Sequence, residues 1–262
     1  LSGFELSKWY ADCVTEEGAA AIVYHAELRW RAMTLHYSSL LKYTPGNAVR
    51  IDYSLRNRPG PAVHEDRIEW CSADWKAAGS WDELGPSHRN LLFESENGLL
   101  DWNCAAPRAA ATMQVGDGPA LNGWGYAEHL RLTIAPWRLP IRRLRWGRFV
   151  NHADALVWID WSGTYNKRVA YLNGAMVDDA EISNSEIGMA ERSATLSLDQ
   201  GVVLREGKLG ATALSIIPNL GRLFPDSMLN VHERKWLSHA VLRRPGQADS
   251  VGMAIHEVVE WP

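Results

Sequence analysis

Cysteines, long apolar runs and ligand-spaced histidines are all scarce in this 262-residue chain, and each scarcity removes a class of function. The three cysteines, Cys13, Cys71 and Cys104, are isolated and odd in number, which argues against a disulfide framework and against paired Cys-x-x-Cys metal sites. They read as buried thiols. Nine histidines occur without His-Glu-x-x-His or similar tight spacing, so neither a structural zinc nor a catalytic metal is expected. Gly123 and Gly125 precede a strand rather than a helix, and with no other phosphate-cradling glycine pattern, nucleotide cofactors are disfavoured. No apolar run approaches the roughly 20 residues that span a bilayer, and the N-terminus lacks a charged-then-apolar signal pattern. The chain reads as soluble and cytoplasmic, with the reservation that a start at Leu1 allows a processed N-terminus. Net charge is −4 and the basic residues are scattered outside Arg138 to Arg148, so a nucleic-acid footprint is absent.

Period-two alternation is abundant. Val49, Ile51, Tyr53 and Leu55 oppose Arg50, Asp52, Ser54 and Arg56, and Tyr24, Ala26, Leu28 and Trp30 oppose Val23, His25, Glu27 and Arg29. Trp9-Tyr10 is expected on the strand that pairs with this second run, across a turn at Glu16-Glu17-Gly18. Pro45-Gly46-Asn47, Asn97-Gly98, Asn166-Lys167 and Asn173-Gly174 supply further turns. In the second half, strands are expected at 155–161, 168–173, 194–198, 201–205, 211–216, 236–243 and 251–261. The fold class is all-β, with edges hidden by barrels or sandwiches. Pro136 and Pro140 interrupt the alternation, so 136–148 reads as a connection between two β units, 1–137 and 138–262.

The segment from Tyr126 to Ile134 carries the chemistry. Tyr126, Glu128, Leu130, Leu132 and Ile134 share one face, and Ala127, His129, Arg131 and Thr133 the other. If the first face is buried, Glu128 loses water, its charged form is disfavoured, and it becomes a proton donor near neutral pH. Farther on, Trp158 and Asp160 share a strand face, and an Asp in a strand marks a wet face or a partner such as His129, Arg131 or Arg148. Thirteen tryptophans against four phenylalanines is a skewed set. About two-thirds of them should fill cores. Trp124, Trp146 and Trp158 are candidates to face a sugar ring, a polyene or a developing cation. Arg148 follows Trp146-Gly147, where close backbone approach would let one guanidinium orient a carboxylate. Arg138, Arg142 and Arg143 read as a solvated connector.

Gly125-Tyr126-Ala-Glu128-His129, Trp146-Gly147-Arg148 and Val157-Trp158-Ile-Asp160 occur in an order that resembles the carotenoid 1,2-hydratase (hydroxyneurosporene synthase) and AttH-type lipocalin-like family, to which fungal Diels–Alderases and tocopherol cyclases are related. The resemblance implies two lipocalin-like β-barrel or β-sandwich units with a hydrophobic pocket. It also implies, by position, that Tyr126, His129, Trp158 and Asp160 occupy functional places and that Glu128 stands where the family has Asp. Leu130-Arg131 departs from the family pattern.

The resulting expectation is a cofactor-free enzyme acting on a hydrophobic, unsaturated small molecule by hydration, cyclisation, isomerisation or pericyclic ring closure. Glu128, His129 and Asp160 would be catalytic, and Tyr126, Arg131, Trp124, Trp146, Arg148 and Trp158 would bind substrate. A non-catalytic carrier of an apolar ligand is the alternative, and a carbohydrate-binding β-sandwich or glycosidase the third reading. Alternation leaves one conflict open. Tyr126 and Glu128 cannot face the same space as His129 and Arg131 without a bulge, and burial favours the first pair while the family resemblance favours the second.

Overall fold

The computed structural model describes residues 3–262, which form two compact units, one ending at Arg138 and the other spanning Leu139–Pro262. In the first unit the strands are β1 (Phe4–Val14), β2 (Ala20–Trp30), β3 (Met33–Tyr43), β4 (Arg50–Ser54), β5 (Ala62–Val63), β6 (Arg67–Ser72), β7 (Ala77–Asp82), β8 (His88–Ser95), β9 (Gly98–Val115) and β10 (Leu121–Leu132). In the second they are β11 (Ile141–Val150), β12 (Ala155–Gly163), β13 (Lys167–Leu172), β14 (Ala175–Met176), β15 (Glu181–Ile182), β16 (Glu186–Met189), β17 (Ala194–Leu198), β18 (Val202–Lys208), β19 (His232–Arg243) and β20 (Ser250–Glu260). The chain is all-β, and no helix among the described residues is long and apolar enough to cross a membrane.

Each unit is one curled antiparallel sheet. The first runs β4-β3-β2-β1-β10-β9-β7-β6-β5, with β8 also on β9, and the second runs β14-β13-β12-β11-β20-β19-β17-β16-β15, with β18 also on β19. The second order repeats the first strand for strand. Local sequence explains the strands well. In β6, Ile68, Trp70 and Ser72 are buried while Arg67, Glu69 and Cys71 point outward. That alternation corrects the expectation for Cys71, which is exposed, whereas Cys13 and Cys104 are buried.

The inner face of the first sheet is packed with Ala11, Cys13, Ala21, Val23, Trp81 and Ala127, among others. Phe149, Leu156, Trp158, Leu242 and Ala254 belong to the corresponding cluster in the second. Central strands are covered on both faces, so alternation gives way to continuous burial over Ala155–Trp161 in β12 and Gly125–Glu128 in β10. Small residues permit this. A Cβ on Gly125 would stand 2.6 Å from both Trp81 Cδ1 and Ala111 Cβ, and one on Gly147 would stand 2.2 Å from Trp158 Cζ2.

Pairing of β10 with β1 is uninterrupted from Trp124–Val14 to Leu132–Leu6. The irregularity falls on β9 instead, where the partners of Gly125, Ala127 and Glu128 step through Ala109, Ala106 and Cys104. Two extra residues are thereby accommodated in β9. Pro107, which has no N–H to give the ladder, lies in this bulged stretch.

Two segments differ from expectation. The strand expected at 211–216 is absent. Leu209–Ala211 makes a helical turn, Thr212 Oγ1 donates to the Lys208 carbonyl and Ser215 Oγ to the Thr212 carbonyl, so local hydroxyl bonds replace strand pairing. The arginine-rich connection is also shorter than expected. Only a helical turn at Pro136–Arg138 and the residues up to Pro140 interrupt the strands, and Ile141–Val150 lies centrally between β12 and β20.

Gly147→Ala is expected to destabilise the chain by about 1–3 kcal/mol through overpacking against Trp158, read as a lower urea midpoint at unchanged slope. An unchanged midpoint would show that the Trp158 indole moves freely.

Candidate active site

Register divides the sequence-derived residues between the two faces of β10. Trp9 pairs with His25 on β2 and with His129 on β10, so the three rings share the inner face. Following that face along β1, β2 and β10, Cys13, Ala21 and Gly125 give way to Ala11, Val23 and Ala127, then to Trp9, His25 and His129. It ends at Ser7, Glu5, Glu27, Arg29 and Arg131. The apolar part is the core of the unit. Beyond it lies a cavity of about 250 Å3, lined by Glu5, Ser7, Trp9, His25, Glu27, Arg29 and Gly60. Its size approaches the roughly 300 Å3 at which small-molecule sites begin. The lining is more polar than a hydrophobic pocket, with Trp9 as its aromatic surface.

The two histidines are held firmly. His129 stacks on Trp9 with ring centroids 4.7 Å apart and 28° between planes, and its Nε2 lies 2.7 Å from Ser7 Oγ. His25 Nδ1 lies 3.2 Å from Ser38 Oγ. A Cβ on Gly60 would stand 3.0 Å from His25 Cδ2 and 3.2 Å from Nε2, so the backbone there closes on the imidazole edge. Burial lowers the His129 pKa from its ordinary 6.5, with Asp101 opposing and Arg131 reinforcing the shift. Burial and the neighbouring His36 lower that of His25, against Glu27. Both rings are therefore mainly neutral at pH 7 and able to accept a proton. At the mouth, Arg131 Nε donates to Glu5 Oε1 at 3.1 Å, and Arg29 Nη2 is 2.6 Å from Glu27 Oε1.

Glu128 and Tyr126 are on the other face. Glu128 is 4% exposed and Tyr126 fully buried. Trp102 Nε1 and Tyr126 Oη each donate to Glu128 Oε2 at 2.6 Å. Tyr10 and Asp12 lie on the same face of β1, with Tyr10 Oη donating to Asp12 Oδ2 at 2.7 Å. Burial, assisted by Cys104 and Glu128, raises the Tyr126 pKa well above the ordinary 10.0, so its phenol stays protonated as a donor. Glu128 is thus an acceptor in a buried polar network on the face opposite the cavity. Trp124 is also on this face, with the Arg108 guanidinium 5.4 Å from its ring centroid.

The second unit holds the remaining candidates. Asp160 accepts from Arg145 Nη1 at 3.0 Å and from Arg168 Nε at 3.2 Å, while Arg145 Nε also donates to Asn184 Oδ1 at 2.7 Å. It is an ion-paired carboxylate between two guanidiniums. Trp158 belongs to the core under Gly147, so the space provided by that glycine is filled by an indole. Trp146 does face a cation, the chain's own Lys235 ammonium, 4.9 Å from its ring centroid. Arg148 is fully buried and donates to the Met253 carbonyl at 3.1 Å.

A related trio appears here as well. Trp236 stacks on His256 at 5.1 Å, and His256 Nε2 lies 3.0 Å from Ser238 Oγ, which is also bonded to the Asp199 carbonyl. Ser238 is fully buried and His256 is 6% exposed, so their contact is sealed, while Trp236 is half-buried. Burial and the Lys235 charge bring the His256 pKa down to about 4, against Glu257.

Ser7, Glu27, Arg29 and Gly60 were not singled out by sequence reasoning. Alternation had placed His25 with Glu27 and Arg29, and the passage from apolar to polar along that face was the available signal. Gly60 approaches from the connection between β4 and β5 and leaves none.

No protein-family model matches the sequence, and no curated protein sequence is significantly similar to it. Solved structures do share its fold. CghA aligns over 99% of this chain and 89% of its own, with a TM-score of 0.58 and 12% identity, and has also been crystallised with Sch210972. Kievitone hydratase from Nectria haematococca aligns over 99% and 89% with a TM-score of 0.54 and 10% identity. A putative AttH from Nitrosomonas europaea aligns over 98% and 92% with a TM-score of 0.51 and 12% identity. The lipocalin-like, AttH-type architecture implied by the sequence resemblance is thus the fold of this chain.

Two stability measurements follow from the buried groups. His256 is neutral when folded, so its contribution is complete above pH 6.5 and falls as pH drops toward about 4, where the folded form also protonates. The loss across that window is on the order of 3 kcal/mol, and His256→Gln should flatten this part of the stability curve. Glu128→Leu should cost roughly 1–3 kcal/mol for each donor left unsatisfied, with Glu128→Gln much milder because an acceptor oxygen remains. Equal stability of the two variants would contradict the acceptor role.

Proposed function

We propose that the first unit's cavity is the active site of a cofactor-free enzyme that moves a proton on a small unsaturated substrate. The reaction is hydration, cyclisation or isomerisation begun by a base. The observation that carries this reading is the pair of neutral, anchored imidazoles on either side of Trp9, with His25 in the cavity lining and His129 held against the lining residues Trp9 and Ser7. His129 removes a proton from water or from the substrate, and Ser7, already hydrogen-bonded to Nε2, relays or stabilises it. Trp9 offers an apolar surface for the unsaturated part. Arg29 and Glu27 at the mouth favour a substrate with a polar end.

A base-initiated route fits these groups better than a carbocation route. Both histidines favour the neutral form, and Trp146 and Trp158 are engaged with Lys235 and the core. Glu128 is positioned to organise the opposite face of β10, and Asp160 to order Arg145 and Arg168. The shared fold with kievitone hydratase and CghA supports the choice of a small-molecule substrate.

Incubation with kievitone, Sch210972 and unsaturated small molecules of graded size, followed by mass spectrometry, should reveal a product that has gained one water or is isomeric with its precursor. His129→Gln should lower turnover about 100-fold or more. Activity should persist through pH 6.5 and decline below it as His129 and His25 protonate, with Asp101, Arg131, His36 and Glu27 setting the midpoints. Undiminished turnover in His129→Gln would refute the assignment. Tight binding without any product would make the cavity that of a carrier.

A further inference from the structure

We propose that Ser7 and His129 also form a nucleophile–base pair that cleaves small carboxylic esters in the same cavity. The inference rests on that cavity being the site, but not on its proton-transfer reaction. Ser7 Oγ and His129 Nε2 are 2.7 Å apart, within the range for an activated hydroxyl and its base. They occupy diagonal positions across β1 and β10, because Ser7 pairs with Arg131 and Trp9 with His129. Stacking on Trp9 fixes the ring plane and presents Nε2 to the hydroxyl. Two further features make the pair usable. Ser7 lines the cavity, so an ester carbonyl has access to Oγ, and the same lining carries Arg29, ion-paired with Glu27, as the positive group toward which a developing oxyanion would turn.

The second unit provides an internal comparison. Ser238 and His256 make the same kind of contact at 3.0 Å, yet Ser238 is fully buried and also bonded to the Asp199 carbonyl. Its hydroxyl is committed on two sides and out of reach, as a purely structural pair should be. Ser7 and His129 share the contact without that enclosure.

In the reaction, Ser7 Oγ attacks the ester carbonyl carbon while its proton passes to His129 Nε2, which requires the imidazole to carry its resting proton on Nδ1. The tetrahedral adduct collapses with loss of the alkoxide, which takes the proton from Nε2 and leaves acyl-Ser7. A water molecule deprotonated by His129 then attacks the acyl carbonyl. This step releases the carboxylic acid and returns the proton to Oγ. Ester and water are consumed, and acid and alcohol are formed.

The test is to treat the full chain with a fluorophosphonate probe and, separately, with p-nitrophenyl acetate. One phosphonyl group should add per chain and map to the peptide containing Ser7, and p-nitrophenol should appear in a burst of about one equivalent, as acyl-enzyme formation predicts. Ser7→Ala should abolish labelling and burst, and His129→Gln should slow both by about 100-fold or more. An unlabelled wild-type chain, labelling at another residue, or an undiminished burst in Ser7→Ala would each overturn the inference, and the first two need no variant to fold. A chain that converts an unsaturated probe but leaves the phosphonate unreacted retains the proton-transfer reading and loses this one. Labelling at Ser7 without conversion of any unsaturated probe gives the reverse.

Discussion

Opposed side-chain directions on successive residues of β10 are the constraint on which the rest of the arrangement depends. Glu128 and His129 are adjacent in sequence, yet one joins Tyr126 and Trp102 in a buried network and the other joins Trp9 and Ser7 beside a cavity. A slip of one residue would exchange the two environments. It would put a carboxylate among Ala11, Cys13 and Val23 and expose the imidazole to the Tyr126 side. The continuous β1–β10 pairing prevents this, while the irregularity needed for sheet curvature is taken up by β9 around Pro107.

The inner face then produces the candidate site by a gradient in side-chain character. Its apolar end is packed in one core cluster with Trp81 and Met113, and its polar end stays open. His25 and His129 sit at the transition, close enough to the core to lose water, with His25 in the cavity lining and His129 against the lining residues Trp9 and Ser7. Their lowered basicity and their place beside the cavity thus have one origin. In the second unit the core cluster extends through Phe149, Trp158 and Ala254, and His256 is enclosed instead. The same strand order therefore yields an open histidine in one unit and a closed one in the other.

Much of the fold was legible because its signals are local. Alternation placed β2, β4, β12 and β20, and the Asn173-Gly174 turn has the positive φ values its residues favour. Residues 211–216 misled because their spacing resembles a strand while their hydroxyls satisfy the backbone locally. Alternation also correctly separated Glu128 from His129. It could not say which face held the cavity, because both faces of β10 are buried between Gly125 and Glu128. The contributions of Ser7, His25 and Gly60 depend on non-local pairing and a loop approach. The topological repeat leaves no obvious trace, since the trio Ser7, Trp9 and His129 draws on β1 and β10, whereas Trp236, Ser238 and His256 draw on β19 and β20.

The approach of Gly60 to His25 places one wall of the cavity outside the sheet. Every other lining residue is fixed by the register of β1 and β2, where a change of position would disturb the whole hydrogen-bonded ladder. The connection between β4 and β5 carries no such obligation. Mouth shape, and with it the range of molecules admitted, is therefore free to diverge by substitutions and insertions there while the histidine layer stays intact. On the proposed reading, ligand choice and reaction chemistry fall to separately mutable parts of the chain.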